Sequence, residues 1–425
     1  MGKLKIIIVA DTGNWCYVKE CLEWLRKDMP RRSDFNIIVV NNGTPLSKEE
    51  LPFYSYYIDN AAPVPYGKAI DMVLCAKGFD SDVILLNPCV RCTIEDILSL
   101  RTFNISDGIV CASNITHGQV IAPSKGIVYF TKSVIKCTGL FDTRLITEEA
   151  VLLNAALRLM YEDMSTRVYK VGISYRCKPF EKNKESNIEH DRDILESLWE
   201  MKYFNIEPND FIIEALAPYI KNHDKNDTVT ILEFGCDLGA TLLEAKKRFS
   251  PFCKINTMGM EFSKASIIAD VNIADYVEYF DIEKLQEYHY TDNSIDYIIF
   301  GDVLEHLRDP ERIVKLCKNW LKPNGRIIAS IPNLMHISVM KELIKGNFTY
   351  TDRGLLDRTH CHFFTKKEIE KMFNNAGFSV AIKTLETFAT DDEKSLIKSL
   401  VDLSGGETNR SMYTTFQYLC TAKKQ

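Results

Sequence analysis

The sequence predicts an α/β protein built from two domains, and three observations support this prediction. The chain has 425 residues, more than the roughly 250–300 at which a single hydrophobic core stops growing. Short β-branched runs alternate with amphipathic helical segments in two separate series. Between the series, residues 178–193 (KPFEKNKESNIEHDRD) are mostly charged or polar. We therefore expect domains at 1–180 and 195–425, joined by a linker at 181–194.

The first series starts with a strand at residues 5–10 (KIIIVA) and a helix with apolar residues at helical spacing, from Trp15 to Leu25. A second helix is expected at GKAIDMVLCAKG and a third at VLLNAALRLM. Further strands are expected at 37–40, 82–88, 108–113 and 126–131. Strands that alternate with helices in this way predict a mostly parallel sheet.

The second series contains seven predicted strands, of which the last two form a closing pair. Helices are expected at DILESLWEMKYF, DFIIEALAPYIKN, ATLLEAKKRF, DPERIVKLCKNWL and KKEIEKMFNNAG, with a short helix after residue 261 and an irregular stretch at 334–365. The strands are expected at 228–235, 255–261, 276–282, 294–303, 325–333, 378–386 and 414–424.

Composition and charge exclude several classes of protein. The 46% hydrophobic and 26% charged residues exclude disordered, collagen-like and coiled-coil chains. A net charge of −6 gives no electrostatic attraction for nucleic acid or an anionic membrane. The 13 cysteines are odd in number and scattered, which favours reduced thiols in a cytoplasmic protein. No run approaches the ~18 apolar residues of a membrane-spanning helix.

A glycine loop follows the first strand of the second series. The strand ends at Glu233 and runs through Gly235, Cys236 and Gly239 into a helix, and in α/β sheets ligands bind at such strand ends. The G-x-x-x-G spacing differs from the G-x-G-x-x-G of dinucleotide sites, so NAD is disfavoured. Taken alone, the loop is equally consistent with a tight turn.

Acidic residues end the next two strands, at Glu261 and near Asp281. The first carboxylate is suited to accept both hydroxyls of a ribose, and the second an adenine amino group. Either residue alone is equally consistent with a helix cap. The ordered set favours a nucleoside-containing cofactor.

Taken together, ILEFGCDLG, GMEFS, YFDIE, DYIIFGDVLEHLRDPERIV and LKPNGRIIASIPN resemble class I S-adenosylmethionine-dependent methyltransferases over about residues 195–425. The run from Asp302 to Pro310 is similar to methyltransferases of the ubiquinone-biosynthesis type. Residues 354–365 resemble a signature of bacterial methyltransferases that modify sugars and surface polysaccharides. The resemblance implies a Rossmann-like sheet of seven strands with an antiparallel last strand.

The resemblance also implies roles for individual residues toward S-adenosylmethionine. Asp237 replaces the usual middle glycine of the loop. The residues expected to bind the cofactor are Glu233, Gly235, Cys236, Gly239, Glu261, Asp281 and Asp302.

Three histidines, His306, His336 and His360, follow the fourth or fifth strand of this series, on the side where ligands bind. A hydroxyl acceptor must lose its proton during transfer, and histidine has a suitable pKa. We expect His360 as the first choice of base, then His306; capping or packing is the structural alternative. His360 and His362 flank Cys361, but without a C-x-x-C partner nearby we expect no metal site. The arginines near His360 in the sequence are suited to bind a phosphate or carboxylate group of the acceptor. The alternative is that they are solvated charges of a loop.

The first series resembles family-two glycosyltransferases of the GT-A type, with a nucleotide-diphospho-sugar transferase fold over about residues 3–178. The resemblance rests on IIVVNNGT, GKAIDMVLCAKGFDSDVILLNP and GIVYFTKSVIKCTGLFDTRL. Asn87-Pro-Cys89-Val stands where the family carries metal-binding aspartates, and Glu148 or Glu149 lies near the position of its catalytic base. We expect this domain to be degenerate.

The sequence thus predicts a methyltransferase that acts on a sugar-containing or small-molecule acceptor, by O-methylation in glycan or polysaccharide biosynthesis, and not on nucleic acid. Two alternatives stay open: a bifunctional glycosyltransferase-methyltransferase, and a protein that binds the cofactor without catalysis. The acceptor and the oligomeric state are not predicted.

Overall fold

The structure is a computed structural model of the chain, and it describes most of the sequence. The residues described are 4–11, 14–27, 35–76, 79–102, 108–113, 118–120, 126–138, 141–161, 165–170, 174–175, 185–199, 205–263, 266, 273–387 and 389–425. In these ranges no helix is long and apolar enough to cross a membrane.

The chain divides into two compact units, Met1–Ile206 and Glu207–Gln425. The division lies later than the linker expected at 181–194, because residues 185–199 form a helix of the first unit. In that helix the buried Asp191 accepts hydrogen bonds from the backbone N–H groups of Ile146 and Thr147, each at 2.7 Å. A segment that looks like a polar linker is therefore helical where the structure describes it.

The first unit contains a sheet of eight strands in the order β3-β2-β1-β4-β8-β6-β9-β7, and a two-stranded sheet of β5 and β10. The strands are β1 Leu4–Ala10, β2 Phe35–Asn42, β3 Tyr56–Asn60, β4 Val83–Leu86, β5 Val90–Arg91, β6 Gly108–Ser113, β7 Gly118–Val120, β8 Ile127–Phe130, β9 Ser165–Lys170 and β10 Ser174–Tyr175. The helices are α1 Val18–Lys27, α2 Tyr66–Leu74, α3 Ile94–Ser99, α4 Lys132–Thr138, α5 Glu148–Tyr161 and α6 Glu185–Trp199.

This sheet is mixed, which corrects the expectation of a mostly parallel one. β1, β2, β3 and β4 pair in parallel, as does β6 with β9. β8 is antiparallel to both β4 and β6, and β7 to β9. The strand order reverses at β1, between β2 and β4, and the ends of parallel strands at such a point form a crevice where ligands bind in open α/β sheets.

The second unit contains a seven-stranded sheet in the order β13-β12-β11-β14-β15-β17-β16. The strands are β11 Thr228–Phe234, β12 Lys254–Glu261, β13 Tyr276–Tyr279, β14 Ile295–Gly301, β15 Leu321–Pro332, β16 Phe378–Glu386 and β17 Thr415–Lys424. β17 lies between β15 and β16 and is antiparallel to both. The predicted seven strands and the antiparallel last strand are confirmed.

Helices and buried apolar side chains cover this sheet. The helices are α7 Asp210–Ile220, α8 Ala240–Phe249, α9 Pro310–Trp320, α10 Ile337–Ile344, α11 Lys366–Asn375, α12 Asp391–Ser404 and α13 Arg410–Thr414. α9 and α11 pack with the core around Phe234, Phe300 and Trp320, while α7 and α8 pack with a second cluster around Ile231 and Ile299. The short helix expected after residue 261 lies almost wholly outside the described residues. The strand order reverses at β11, between β12 and β14, so the candidate site lies at the carboxyl ends of these strands.

Candidate active site

The glycine loop after β11 needs left-handed backbone at three positions. Gly235, Asp237 and Gly239 have φ of 64°, 50° and 75°. A Cβ added at Gly235 would lie 2.7 Å from Cγ2 of Val303, so this glycine permits close contact with the loop that follows β14. Asp237 takes a conformation that asparagine and aspartate adopt more readily than most residues. The missing glycine is therefore accommodated by the backbone.

Cys236 and Gly239 contribute to the loop in different ways. Cys236 is buried and its Sγ lies 2.6 Å from where a Cβ on Gly259 would stand, so the thiol packs against β12. Gly239 donates its N–H to the carbonyl of Cys236 at 2.8 Å and is the N-cap of α8. Glycine has no side chain that could accept a hydrogen bond from the first N–H groups of α8. The N-cap residue therefore leaves these groups without a side-chain partner.

Glu233 is a buried carboxyl at the end of β11. It is 4% exposed, and its Oε2 accepts no hydrogen bond from any residue in the described ranges. Burial raises the pKa of Glu233 well above its ordinary value, and the nearby Asp237 and Glu261 raise it further. A cationic group is the partner that such a site favours, because it offsets the cost of a buried negative charge.

Glu261 is placed by the end of β12 and holds the glycine loop. Its carboxylate accepts backbone hydrogen bonds from Asp237 at 2.9 Å, Phe262 at 2.6 Å and Ser263 at 3.0 Å. A carboxylate has about four acceptor positions, so one remains for a ligand.

Asp281 is brought close to the end of β12 because the preceding residue, Phe280, donates its N–H to the carbonyl of Glu261 at 3.0 Å. Asp281 caps a short 3-10 helix by accepting from Glu283 N–H at 3.0 Å, and it lies 3.3 Å from Lys284 Nζ. The capping interpretation of Asp281 is thus realised in the structure.

Asp302 follows β14 with a φ of 55°. Its backbone N–H donates to Ser330 Oγ at 3.1 Å, and its side chain accepts a hydrogen bond from the amide of Gln417 on β17. Sequence reasoning missed Gln417, because the insertion of β17 beside β15 is a tertiary feature.

The structure brings His306 and His360 together, with ring centroids 4.8 Å apart and the planes at 76°. His306 ends a 3-10 turn, Leu304–His306, which begins two residues after the end of β14. His360 is brought there because the backbone N–H groups of Cys361 and His362 donate to the carbonyl of Glu305, at 2.8 and 3.0 Å.

Glu305 is the residue of this group that sequence reasoning missed. It is 1% exposed, and its carboxylate, His306 and His360 each offer an atom within 4.8 Å of the others. The signal was present in the sequence, since Glu305 and His306 are adjacent and lie a few residues after the end of a strand.

The other two histidines are held elsewhere. The buried His336 is the N-cap of α10, with Nδ1 2.8 Å from Ser338 Oγ and Nε2 2.8 Å from Thr387 Oγ1. His362 lies with Nε2 3.1 Å from the carbonyl of Arg308. His362 therefore contacts the carbonyl of Arg308, whereas His360 contacts the ring of His306.

An aromatic cluster adjoins His360. Phe348, Tyr350 and Phe363 have ring centroids 5.5 to 6.1 Å apart, and Phe363 lies 6.0 Å from His360. Nearby, Arg358 pairs with Asp352 at 2.7 Å, with both side chains largely exposed. The arginine thus has a carboxylate partner within its own loop.

Comparison with known proteins gives a family match. Residues 202–381 match the model of a methyltransferase domain. The chain is 27% identical to a ubiquinone biosynthesis O-methyltransferase of Neisseria meningitidis serogroup C over 168 residues, which are 38% of this chain and 69% of that protein. It is 29% identical to the same-named protein of Psychrobacter arcticus over 155 residues, 35% of this chain and 58% of that one. A structure described as a SAM-dependent methyltransferase from Archaeoglobus fulgidus aligns at 18% identity and a TM-score of 0.37, covering 55% of this chain and 99% of that one.

Proposed function

We propose that the second unit, which is a class I S-adenosylmethionine-dependent methyltransferase domain, methylates an oxygen of a sugar-containing or other small-molecule acceptor. The protein is an enzyme of this class, and its cofactor is S-adenosylmethionine. The observation that carries the proposal about the acceptor is the position of the histidine pair. His306 lies in the loop after β14 with the ring of His360 packed against it, and the same loop packs on the glycine loop through Val303.

The residues present fit the cofactor. Its methionine moiety carries an ammonium group, which would supply the cation that the buried, unbonded Oε2 of Glu233 favours. Glu261 has an acceptor position left for the ribose, and Asp281 lies one residue beyond the Phe280 contact with Glu261, where it would meet the adenine. When bound, the cofactor supplies an electrophilic methyl group on a sulfonium.

The chain must hold the acceptor in line, exclude water and receive a proton. When bound, the cofactor would supply its methyl group to the acceptor oxygen, and the electron pair of its sulfur–carbon bond would stay on sulfur. The hydroxyl proton passes to an imidazole nitrogen of His360 or its neighbour His306. The products are a methyl ether and S-adenosylhomocysteine.

The names of the matched relatives and the surroundings of His360 support an oxygen acceptor with a ring. The relatives are O-methyltransferases by name. Phe348 and Tyr350 are 40% and 49% exposed, so their rings are available beside His360 to contact a bound substrate, as aromatic side chains often do in ligand sites. We propose a glycan or a sugar-containing precursor of a surface polysaccharide.

For the first unit we propose a degenerate GT-A-like domain. Asn87 follows β4, at the edge where the strand order reverses, and its amide donates to Glu148 Oε2 at 2.7 Å while its oxygen accepts from Cys89 N–H at 3.0 Å. An amide replaces the hard oxygen ligands that a diphosphate-bound metal prefers, and it also engages a candidate base. A cleft of about 880 Å³ lined by Asn41, Tyr57 and Asp59 supports a retained sugar or nucleotide pocket.

The test is methyl transfer from a methyl-labelled cofactor to fractionated cell extract. We expect one labelled sugar-containing fraction, and roughly 10²-fold slower labelling by His360→Gln. His362→Gln is the matched control, because it removes a nearby imidazole bonded to Arg308 and should label normally.

Two outcomes would contradict the proposal. If cofactor binds but no fraction is labelled, the protein binds the cofactor without catalysis. If the wild type turns over sugar nucleotides and Glu148→Gln or Glu149→Gln abolishes this, the protein is bifunctional.

A further inference from the structure

We infer that Asp237 makes the glycine loop selective for charge, so that it favours cationic S-adenosylmethionine over neutral S-adenosylhomocysteine. The two ligands differ by one methyl group and by the positive charge that this methyl gives the sulfur. A loop that separates them by charge lets the product of the reaction leave more readily. The inference concerns the cofactor of the second unit and does not depend on the acceptor proposed above.

The backbone of the glycine loop holds three carboxyl groups close together. Glu233 lies near the end of β11, and Glu261 ends the neighbouring parallel strand β12. Asp237 is joined to Glu261 because its N–H donates to Glu261 Oε2 at 2.9 Å. Asp237 and Glu261 both act on Glu233 as nearby negative charges, since each raises the pKa of that carboxyl in addition to the effect of burial. The loop therefore carries a local negative potential.

The buried carboxyl of Glu233 is the second observation that points to a cationic ligand. Its side chain is 4% exposed, and its Oε2 accepts no hydrogen bond from any residue that the structure describes. The side chains that shift its pKa are two carboxylates and the Thr241 hydroxyl, none of which carries a positive charge. A buried carboxylate favours a positively charged partner, which offsets the loss of hydration.

Asp237 adds its charge at a position where the backbone does not require an aspartate. Its φ of 50° lies in the left-handed region, which glycine adopts freely and asparagine adopts as readily as aspartate. The side chain is partly buried, and its Oδ1 accepts a hydrogen bond from Ser266 Oγ at 3.4 Å. Glycine or asparagine would satisfy the same backbone, so the property that aspartate alone contributes here is its charge.

The effect of this charge on the two ligands follows from electrostatics. Both ligands carry one ammonium and one carboxylate in their methionine part, so attraction through these groups is common to both. Only the sulfonium charge distinguishes them. Two unit charges about 10 Å apart near a protein surface attract each other enough to change a binding constant roughly 10-fold, and salt reduces this attraction. We therefore expect Asp237 to shift the preference toward the cationic ligand by about 3- to 10-fold.

The test is calorimetry on the full-length protein without acceptor, so that no turnover occurs. The ligands are S-adenosylmethionine, S-adenosylhomocysteine and sinefungin, in which a carbon bearing an amine replaces the methylated sulfur. In Asp237→Asn the affinity for the homocysteine ligand relative to each cationic ligand should rise about 3- to 10-fold. Asp237→Gly should show the same change. Sinefungin separates charge from the methyl group, because it carries the charge without the sulfonium.

Glu214→Gln is the matched control, because it removes an exposed carboxylate that pairs with Arg248 near the far end of α8. It should leave the ratio of affinities as in the wild type. Circular dichroism shows that each variant is folded. The inference is overturned if folded Asp237→Asn and Asp237→Gly keep the wild-type ratio, if they bind none of the three ligands, or if Glu214→Gln changes the ratio equally. Failure of the proposed function is separate, since a protein that labels no acceptor can still show this charge selectivity.

Discussion

At the scale of single residues, the environment of each histidine separates its role from that of the others. His336 was a candidate base in the sequence, but both of its ring nitrogens have hydroxyl partners and it caps α10. These contacts indicate a structural role for His336. His306 and His360 lie beside each other and beside a buried carboxylate, and that grouping is what gives the site its chemistry.

The buried His336 predicts a pH dependence of stability. Burial lowers the pKa of His336 below its ordinary value of 6.5, and Glu393 opposes the shift only in part. The unfolded chain therefore binds a proton more readily than the folded protein, so this histidine's contribution to stability is present above about pH 6.5 and is lost as the pH falls toward the folded-state pKa.

We expect the melting temperature of the wild type to exceed that of His336→Asn more at about pH 7.5 than at about pH 5. Asparagine keeps an N-cap acceptor but does not titrate. Thermal unfolding of both proteins across this pH range measures the difference in melting temperature. The other titrating groups are the same in both proteins, so their contributions cancel. A constant difference between the two proteins would show that His336 does not titrate in this way.

At the scale of elements, the glycine loop between β11 and α8 shows how a short segment positions a site. The loop has left-handed residues, and the hydrogen bond from Asp237 N–H to Glu261 joins it to the end of β12. The N–H groups of Phe262 and Ser263 hold the same carboxylate in place. On the other side, Val303 of the segment after β14 packs against the glycine loop. The segment is consequently constrained by neighbours on both sides.

Substitution of Gly235 by alanine should therefore damage both stability and cofactor binding. A non-glycine residue in the left-handed region costs roughly 1–2 kcal/mol, and the clash with Val303 adds about 1–3 kcal/mol of overpacking. Gly346→Ala is the matched control, since Gly346 has a φ of 86° but nothing within 4 Å of the added Cβ. Urea unfolding and calorimetry with S-adenosylhomocysteine measure the two effects. Equal destabilisation by both changes would contradict the close approach at Gly235.

At the scale of the whole molecule, the position of α6 decides where the first unit ends. The charged sequence of residues 185–194 reads as a linker because few of its side chains are apolar, yet the helix is attached to the first unit by a buried carboxylate. Trp199 adds a hydrogen bond from its indole Nε1 to Asn154 on α5, at 3.1 Å. Polar contacts of this kind leave no hydrophobic pattern in the sequence.

Asp191→Ala should destabilise the first unit by about 3 kcal/mol, because it leaves two backbone N–H groups at the start of α5 without their charged partner. Asp193→Ala, two residues along the same helix and exposed, should change stability by less than about 0.5 kcal/mol. Thermal unfolding of the full-length variants compares them. Indistinguishable melting curves would show that the helix is not anchored through Asp191.

The sequence by itself determined most of the second unit, because strands with strong β-branched runs and helices with clear periodicity are local features. The exposed edge strand Tyr56–Asn60 escaped prediction, since an edge strand with a polar face carries little hydrophobic signal. α10 and α12 were also missed, and they pack in a small cluster of their own around Ile397 and Tyr413.

In the candidate site, too, some features were predictable from the sequence and others were not. The glycine loop and the acidic strand ends were readable from sequence because they follow strands at fixed local positions. Only the tertiary structure placed His360 against His306 and Glu305, oriented His362 toward Arg308, and set Gln417 beside Asp302. The physical reason is that hydrogen bonds between distant backbone segments, and a strand inserted out of sequence order, depend on contacts that no local pattern of side chains encodes.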